Sequence, residues 1–142
     1  MTLALLPDTR TAVILALQAS TDLDASITVV REVQDNLPDL IAATGPYVAV
    51  YRPPGPASAW WGRTDRAMLN IQVWDDDYDT CGDTARDVYA VVHSLGGSTY
   101  GGAFIASVGE DVTGLGELPD PGLPSLFRNV FTVPVTATRS LT

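Results

Sequence analysis

Hydrophobic residues recur along this chain at two periods, and each period predicts a different kind of element. A helix is predicted from Thr9 to Ser20, with Pro7 closing the lead-in and Asp8 placed to accept hydrogen bonds from the first-turn amides. Projected at about 100° per residue, Val13, Ala16, Leu17 and Ser20 share one side, and Thr11, Gln18 and Asp22 the other. Ile14 and Leu15 flank the polar stripe, so the apolar arc is wider than one covered face requires. Either the helix is partly buried in a two-layer domain, or a neighbouring subunit covers its second side. A second helix is predicted from Thr80 or Cys81 to Leu95. There Cys81, Ala85, Val88, Val92 and Leu95 form one stripe, opposite Asp83, Arg86, Asp87, His93 and Ser94. Gly96-Gly97 is a fitting stop.

The second period is two, the signature of a half-buried strand. It marks Tyr47–Arg52, with Tyr47, Ala49 and Tyr51 on one face and Val48 and Val50 on the other. It is clearest in Ala67–Trp74, where Ala67, Leu69, Ile71 and Val73 alternate with Met68, Asn70, Gln72 and Trp74. Ile27–Val33 is a short β-branched candidate, and Asp39–Gly45 after it is a loop or a brief helical turn. Ala103–Val108 is expected to place Phe104, Ala106 and Val108 on one face. Val130–Ala137 places Phe131, Val133, Val135 and Ala137 together; Pro134 opposite them lacks an amide hydrogen, which predicts an edge strand or a bulge.

These elements describe an α+β domain: a mainly antiparallel or mixed sheet with two helices packed on one face. Residues 1–142 are expected to form a single domain with long loops at about 53–66 and 109–128, and the 46% hydrophobic content supplies its core. The first loop is broken by Pro53, Pro54 and Pro56, the second by a succession of glycines and prolines.

Charge narrows the range of functions. Eight arginines and no lysine face seventeen acidic residues, for a net charge of −9. Such a surface repels a phosphate backbone, and the arginines fall singly, so specific nucleic-acid binding is not expected. The apolar run Ala12–Leu17 is far below membrane-spanning length, and Met1–Pro7 has no positive region of the kind that opens a secretory signal. The single cysteine, Cys81, excludes an internal disulfide and a multi-cysteine zinc site, and suggests synthesis in a reducing compartment.

Little in the residue inventory builds a catalytic or cofactor site. Asp75, Asp76, Asp77, Asp79 and Asp83 offer oxygen ligands for a hard cation, but their spacing lacks the central glycine and later glutamate of a calcium loop. Where a strand passes into a helix, carboxylates are expected as caps, so no metal is assigned. His93 has no ligand or base near it in sequence and reads as a surface residue. Cys81 and His93 stand twelve helical residues apart, about 18 Å, on different faces. The glycines of Ser98–Gly102 and Gly109–Gly116 match neither a phosphate-binding nor a dinucleotide fingerprint and are read as turns. No catalytic residue, metal or cofactor is therefore expected, and the chain is read as a non-enzyme.

Large apolar groups in the loops remain. Trp60 and Trp61, with Arg63 and Arg66 nearby, have the composition of interface anchors, and Leu115, Leu118, Leu123, Leu126 and Phe127 pose the same question in the second loop. Ile14, Leu15, Trp60, Trp61, Arg63, Leu126 and Phe127 are the residues expected at an interface with another copy or another protein. At least one tryptophan folding back over its own sheet is the competing expectation.

The amino-terminal helix, Gly45-Pro46, the passage Ile71-Gln72-Val73-Trp74-Asp75-Asp76-Asp77, the helix Asp83–Leu95 and the closing stretch Leu118-Pro119-Asp120-Pro121 through Leu123-Pro124-Ser125-Leu126-Phe127-Arg128-Asn129-Val130-Phe131 resemble the tail terminator proteins of siphophages, especially those of actinobacterial phages. The resemblance covers almost the whole chain, through structural motifs only. It implies a homo-oligomer, a hexameric ring, capping the tail tube at the head-proximal end of the virion tail after assembly in the host cytoplasm. The implied partners are the tail tube protein and a head-tail connector or head-completion protein, with DNA passing through the ring. It carries no catalytic residues across. Two other readings stand beside it: another neck component, such as a head-completion or connector protein, and an intracellular enzyme or small-molecule-binding domain.

Overall fold

The computed structural model describes residues 7–54 and 64–139. Seven strands form one sheet: β1 (Thr28–Val30), β2 (Tyr47–Tyr51), β3 (Thr64–Asp75), β4 (Ser98–Tyr100), β5 (Ala103–Val108), β6 (Thr113–Glu117) and β7 (Phe127–Arg139). Three helices accompany them: α1 (Thr9–Ala19), α2 (Leu37–Thr44) and α3 (Tyr78–His93). The strand order is β1-β2-β3-β7-β5-β4, with β6 also paired to β7. Among the described residues only β1 and β2 run parallel, and the other pairings are antiparallel. The mixed sheet curls into a half-barrel backed by helices, so the expected α+β class holds.

The core is the meeting of the two periods. Ala67, Leu69, Ile71 and Val73 of β3 and Phe131, Val133, Val135 and Ala137 of β7 are all buried. They face Val13 and Leu17 of α1 and Cys81, Ala85, Val88 and Val92 of α3 in one apolar cluster. Asp8 caps α1 by accepting from the Thr11 amide (3.0 Å), and Asp77 caps α3 by accepting from the Thr80 amide (2.9 Å). Asp65, one residue into β3 on the core side, is buried and accepts from the Thr9 hydroxyl (2.7 Å) and from Arg52 Nη2 (2.6 Å). One carboxylate thus ties the start of α1 to the ends of β2 and β3.

The structure departs from several of the element expectations. Residues 37–44 are a helix, α2, which lies on the opposite face of the sheet from α1 and α3. Its Leu37 and Ile41 pack with Leu126 against Trp74, whose side chain alternates away from the main core. The reading of two helices on one face therefore covers only α1 and α3. Ser98–Tyr100 and Thr113–Glu117, read as turn and loop, are short strands. Glycines flanking Ser98–Tyr100 and within Thr113–Glu117 concealed them: pairing supplies backbone hydrogen bonds whatever the side chain.

Pro134 does not mark an edge. β7 is central, between β3 on one side and β5 and β6 on the other. β5 and β6 lie end to end along the same side of β7, and residues 109–112 leave that side between them. The Pro134 carbonyl accepts from Gly109 (2.9 Å) there. In an antiparallel strand a residue's N and C=O point the same way, so the missing N–H faces the interruption and costs no ladder bond. Gly109 is required at this spot, because a Cβ would lie 2.8 Å from the Pro134 ring. The register shifts lie in the strands paired to β7, between Thr113 and Gly116 in β6 and between Ile105 and Ser107 in β5. The shift in β5 reverses the expected alternation: Ala103, Ile105 and Val108 face the core, and Phe104 faces away.

Candidate functional site

Where β3 ends and β7 begins, Asp75 pairs with Phe127. Asp76 and Asp77 then start α3, while residues 118–126 lead into β7 from the other side. The side chains left outside the core here are Tyr78 (54% exposed), Phe127 (41%) and Leu118 (52%). Tyr78 and Phe127 meet edge to face with centroids 5.5 Å apart, and the Tyr78 hydroxyl hydrogen-bonds Glu117. That carboxylate raises the phenol pKa, first through the hydrogen bond and then through its charge. An ordered pair of exposed aromatics is the composition of an interface core rather than of a solvated rim.

The residues expected at an interface divide. Leu15 is exposed on α1, against the turn of Gly101, where a Cβ would meet its Cδ1 at 2.9 Å. Phe127 belongs to the aromatic pair. Ile14 is only 6% exposed, within the main core, and Leu126 only 5%, beneath α2 with Trp74. Both fill this chain's own interior. Trp60, Trp61 and Arg63 lie outside the described residues. Tyr78 had no apolar neighbours in sequence to single it out; only the pairing of Asp75 with Phe127 brings it to the patch.

The aspartate run splits by role. Asp77 is a helix cap, its pKa lowered by the Thr80 amide and hydroxyl. Asp76 and Asp79 are exposed, whereas Asp75 is buried. Asp75 Oδ1 accepts from the Asp76 amide (2.8 Å), and Oδ2 has no partner. Burial, followed by the charges of Asp76 and Asp77, raises its pKa against the pull of that one amide bond. Cys81 lies close by, fully buried and touched by Asn129 Nδ2 (3.3 Å); burial raises its thiol pKa, the opposite of what a nucleophile needs. Among the described residues no three His, Cys, Asp or Glu side chains are placed to hold a metal ion.

His93 has a partner after all. Its Nε2 lies 2.8 Å from Asp111 Oδ1, Tyr89 donates to Asp111 Oδ2 (2.6 Å), and the Tyr89 and His93 rings are stacked at a tilt, 4.4 Å apart. The bond to Asp111 raises the Tyr89 pKa. The three groups fasten the 109–112 excursion to α3, and the long sequence gap between His93 and Asp111 hid the contact.

Two surface clefts have mixed polar and apolar linings. One of about 550 Å³ is lined by Arg10, Glu32, Tyr51, Arg52, Asn70 and Thr132. Its arginines are engaged: Arg52 with Asp65, and Arg10 with the Val50 (2.6 Å) and Arg31 (2.5 Å) carbonyls. The other, about 300 Å³, follows the 20–29 turn between α1 and β1. Among the described residues no helix is long and apolar enough to cross a membrane. In comparisons with known proteins, no family model and no curated protein matches the chain.

Proposed function

We propose that the chain is a structural subunit of a long-tailed phage, a tail terminator that assembles into a ring capping the tail tube and offers the head-joining surface. One observation carries this reading. Two passages of the resemblance, 71–77 and 118–131, meet in register as Ile71↔Phe131, Val73↔Asn129 and Asp75↔Phe127. The exposed Tyr78 and Phe127 pair where they meet. The stretches that resemble the family thus build the surface best suited to holding a partner. That patch is assigned to the tube or to the head-side partner, with the ring stoichiometry taken from the resemblance alone.

The test measures mass and particle shape by native mass spectrometry and negative-stain imaging in two settings, the chain alone at high concentration and the chain with purified tail tubes. A six-membered ring in either setting is expected. Phe127→Ser with Tyr78→Ser should leave the subunit folded and abolish capping, and Trp60→Ala with Trp61→Ala should weaken ring formation or capping. If neither setting yields a ring, and tails of normal length still join heads without this protein, the reading is wrong.

A further inference from the structure

The guanidinium of Arg10 sits where one strand of the sheet has ended. β1 pairs with β2 only as far as Val30, opposite Ala49. Just beyond that pair, the Arg10 side chain arrives from α1 and bridges the two strands. Its Nε donates to Val50 O (2.6 Å) and its Nη2 to Arg31 O (2.5 Å). Two carbonyls thus fix the plane of the fork, and no hydrogen bond among the described residues uses Nη1. Arg10 Cζ also lies 5.9 Å from the centroid of the Tyr51 ring. Carbonyls hold a cation in place without neutralising it. Among the described residues no carboxylate lies within ion-pair distance of Arg10, whereas Arg52 is paired with Asp65 and Arg86 with Asp83.

Arg10 lines the cleft of about 550 Å³, a volume within the ordinary range of ligand pockets. Asn70 of β3 and Thr132 of β7 line it too. Gln72 Nε2 donates to Asn70 Oδ1 (2.7 Å), and Asn70 Nδ2 donates to Thr132 Oγ1 (3.0 Å). That relay ends on the Thr132 oxygen, so the Thr132 hydroxyl keeps its own hydrogen to donate. The Tyr51 hydroxyl accepts from the Val33 amide (3.4 Å) and likewise keeps its hydrogen. Glu32 lines the same cleft, is exposed, and makes no ion pair among the described residues. Arg52, also in the lining, is bidentate to Asp65 and adds no net charge. The cleft therefore presents a fixed cation, two hydroxyl donors and an unpaired carboxylate.

The geometry points to a binding site for a small zwitterion of amino-acid or dipeptide size. Its carboxylate accepts from Arg10 and the Thr132 hydroxyl, its ammonium donates to Glu32, and the Tyr51 ring supplies apolar surface for its carbon atoms. A plain anion entering the cleft meets the charge of Glu32 and the −9 of the whole chain, and a plain cation meets Arg10. Only a molecule that carries both charges is matched at both ends. The site goes beyond the assembly proposed above and does not depend on it. A ligand held there ties α1 to the β1–β2 gap and to β7, so it binds the folded chain and raises its stability.

Proton–nitrogen correlation spectra recorded with each standard L-amino acid, and with the dipeptide of each with glycine, test the site. At least one of these probes should shift the Tyr51, Asn70 and Thr132 resonances saturably and raise the melting temperature. For that probe, amidation of the carboxylate and acetylation of the amine should each weaken binding roughly tenfold or more. Glu32→Gln, at an exposed position, should cost as much as acetylation, and Thr132→Val should weaken binding severalfold. Arg10→Gln should abolish binding; because Arg10 also ties two backbone carbonyls, its melt is measured, and if it is unfolded the other two variants decide. The inference is overturned if no probe shifts those three residues, or if Glu32→Gln binds as tightly as the wild type. An N-acetylated probe that binds like its parent would make this a plain anion site, and an amidated one a plain cation site; either result sinks the zwitterion. Ring formation and tail capping are measured without these probes, so the assembly reading stands or falls by its own test.

Discussion

Asp75 carries a carboxylate into the dry end of the β3–β7 seam, and the sign of its effect on stability follows from its surroundings. It is 3% exposed, with one oxygen bonded to the Asp76 amide and the other unpartnered. Burial raises its pKa, and the charges of Asp76 and Asp77 push the same way. The folded chain therefore holds this proton more tightly than the unfolded chain does. Between the ordinary carboxylate value and the raised folded value, the unfolded state has already lost the proton, so this group's contribution to stability falls as pH rises through that window. Asp75→Asn keeps the Oδ1 acceptor and removes the charge. The variant should melt above the wild type at about pH 8, with the gap closing toward about pH 4. A gap that is constant with pH, or widest in acid, contradicts the assignment. Asp8 and Asp77 behave oppositely: their capping bonds lower the pKa and stabilise the ionised form, although burial of Asp8 works against this.

Among the elements, β7 is the organiser, because β3, β5 and β6 all pair with it. The weak point is residues 109–112, where one neighbour stops and the next begins. Their amides reach β7 only through Gly109 to Pro134 (2.9 Å) and Val112 to Thr132 (2.8 Å), and Asp111 fastens the excursion to Tyr89 and His93. Asp111→Ala should speed hydrogen exchange at Gly109 and Val112 roughly tenfold while amides in the middle of β3 keep their rates. Equal acceleration throughout would show that Asp111 supports the whole fold. Val88→Asp probes the opposite case. Val88 is fully buried between α3 and the sheet, and an unpaired charge there costs at least about 3–5 kcal/mol, comparable with the roughly 5–15 kcal/mol of a whole domain. No soluble folded protein is expected, and normal thermal unfolding of this variant would refute the packing. These cases also show what the sequence made legible. Periodicity found α1, α3 and the long strands because burial on one face writes itself into side-chain spacing. It gave α2, whose burial rests on Leu37 and Ile41, only as a loop or a brief helical turn, and it missed β6, whose Thr-Gly-Leu-Gly-Glu has almost no apolar face. Of the residues expected at an interface, Leu15 and Phe127 are exposed, but hydrophobicity could not separate Phe127 from the buried Leu126 beside it. Tyr78 and the His93–Asp111 pair required the register between distant strands.

For the molecule as a whole, charge opposes the self-assembly proposed above, and salt tunes that opposition. The net charge of −9 repels another copy through its whole field. A folded chain of this length has a radius of gyration of about 14 Å, so touching copies have centres on the order of 30 Å apart. At about 0.01 M salt the screening length is also about 30 Å, and the net charges repel at nearly full strength. At about 0.15 M it falls to about 8 Å, and at about 1 M to about 3 Å, which hides most of the repulsion. Contacts through exposed apolar side chains such as Tyr78 and Phe127 are not weakened by screening. Association measured by sedimentation velocity should therefore climb from about 0.01 M to about 1 M salt. In Asp83→Arg with Asp87→Arg the net charge moves from −9 to −5, because two negative side chains become two positive ones. That variant starts with less repulsion, so it should associate more strongly than the wild type in low salt, with the two curves converging as salt rises. A wild-type curve that falls steadily as salt rises would show that the net charge does not govern assembly.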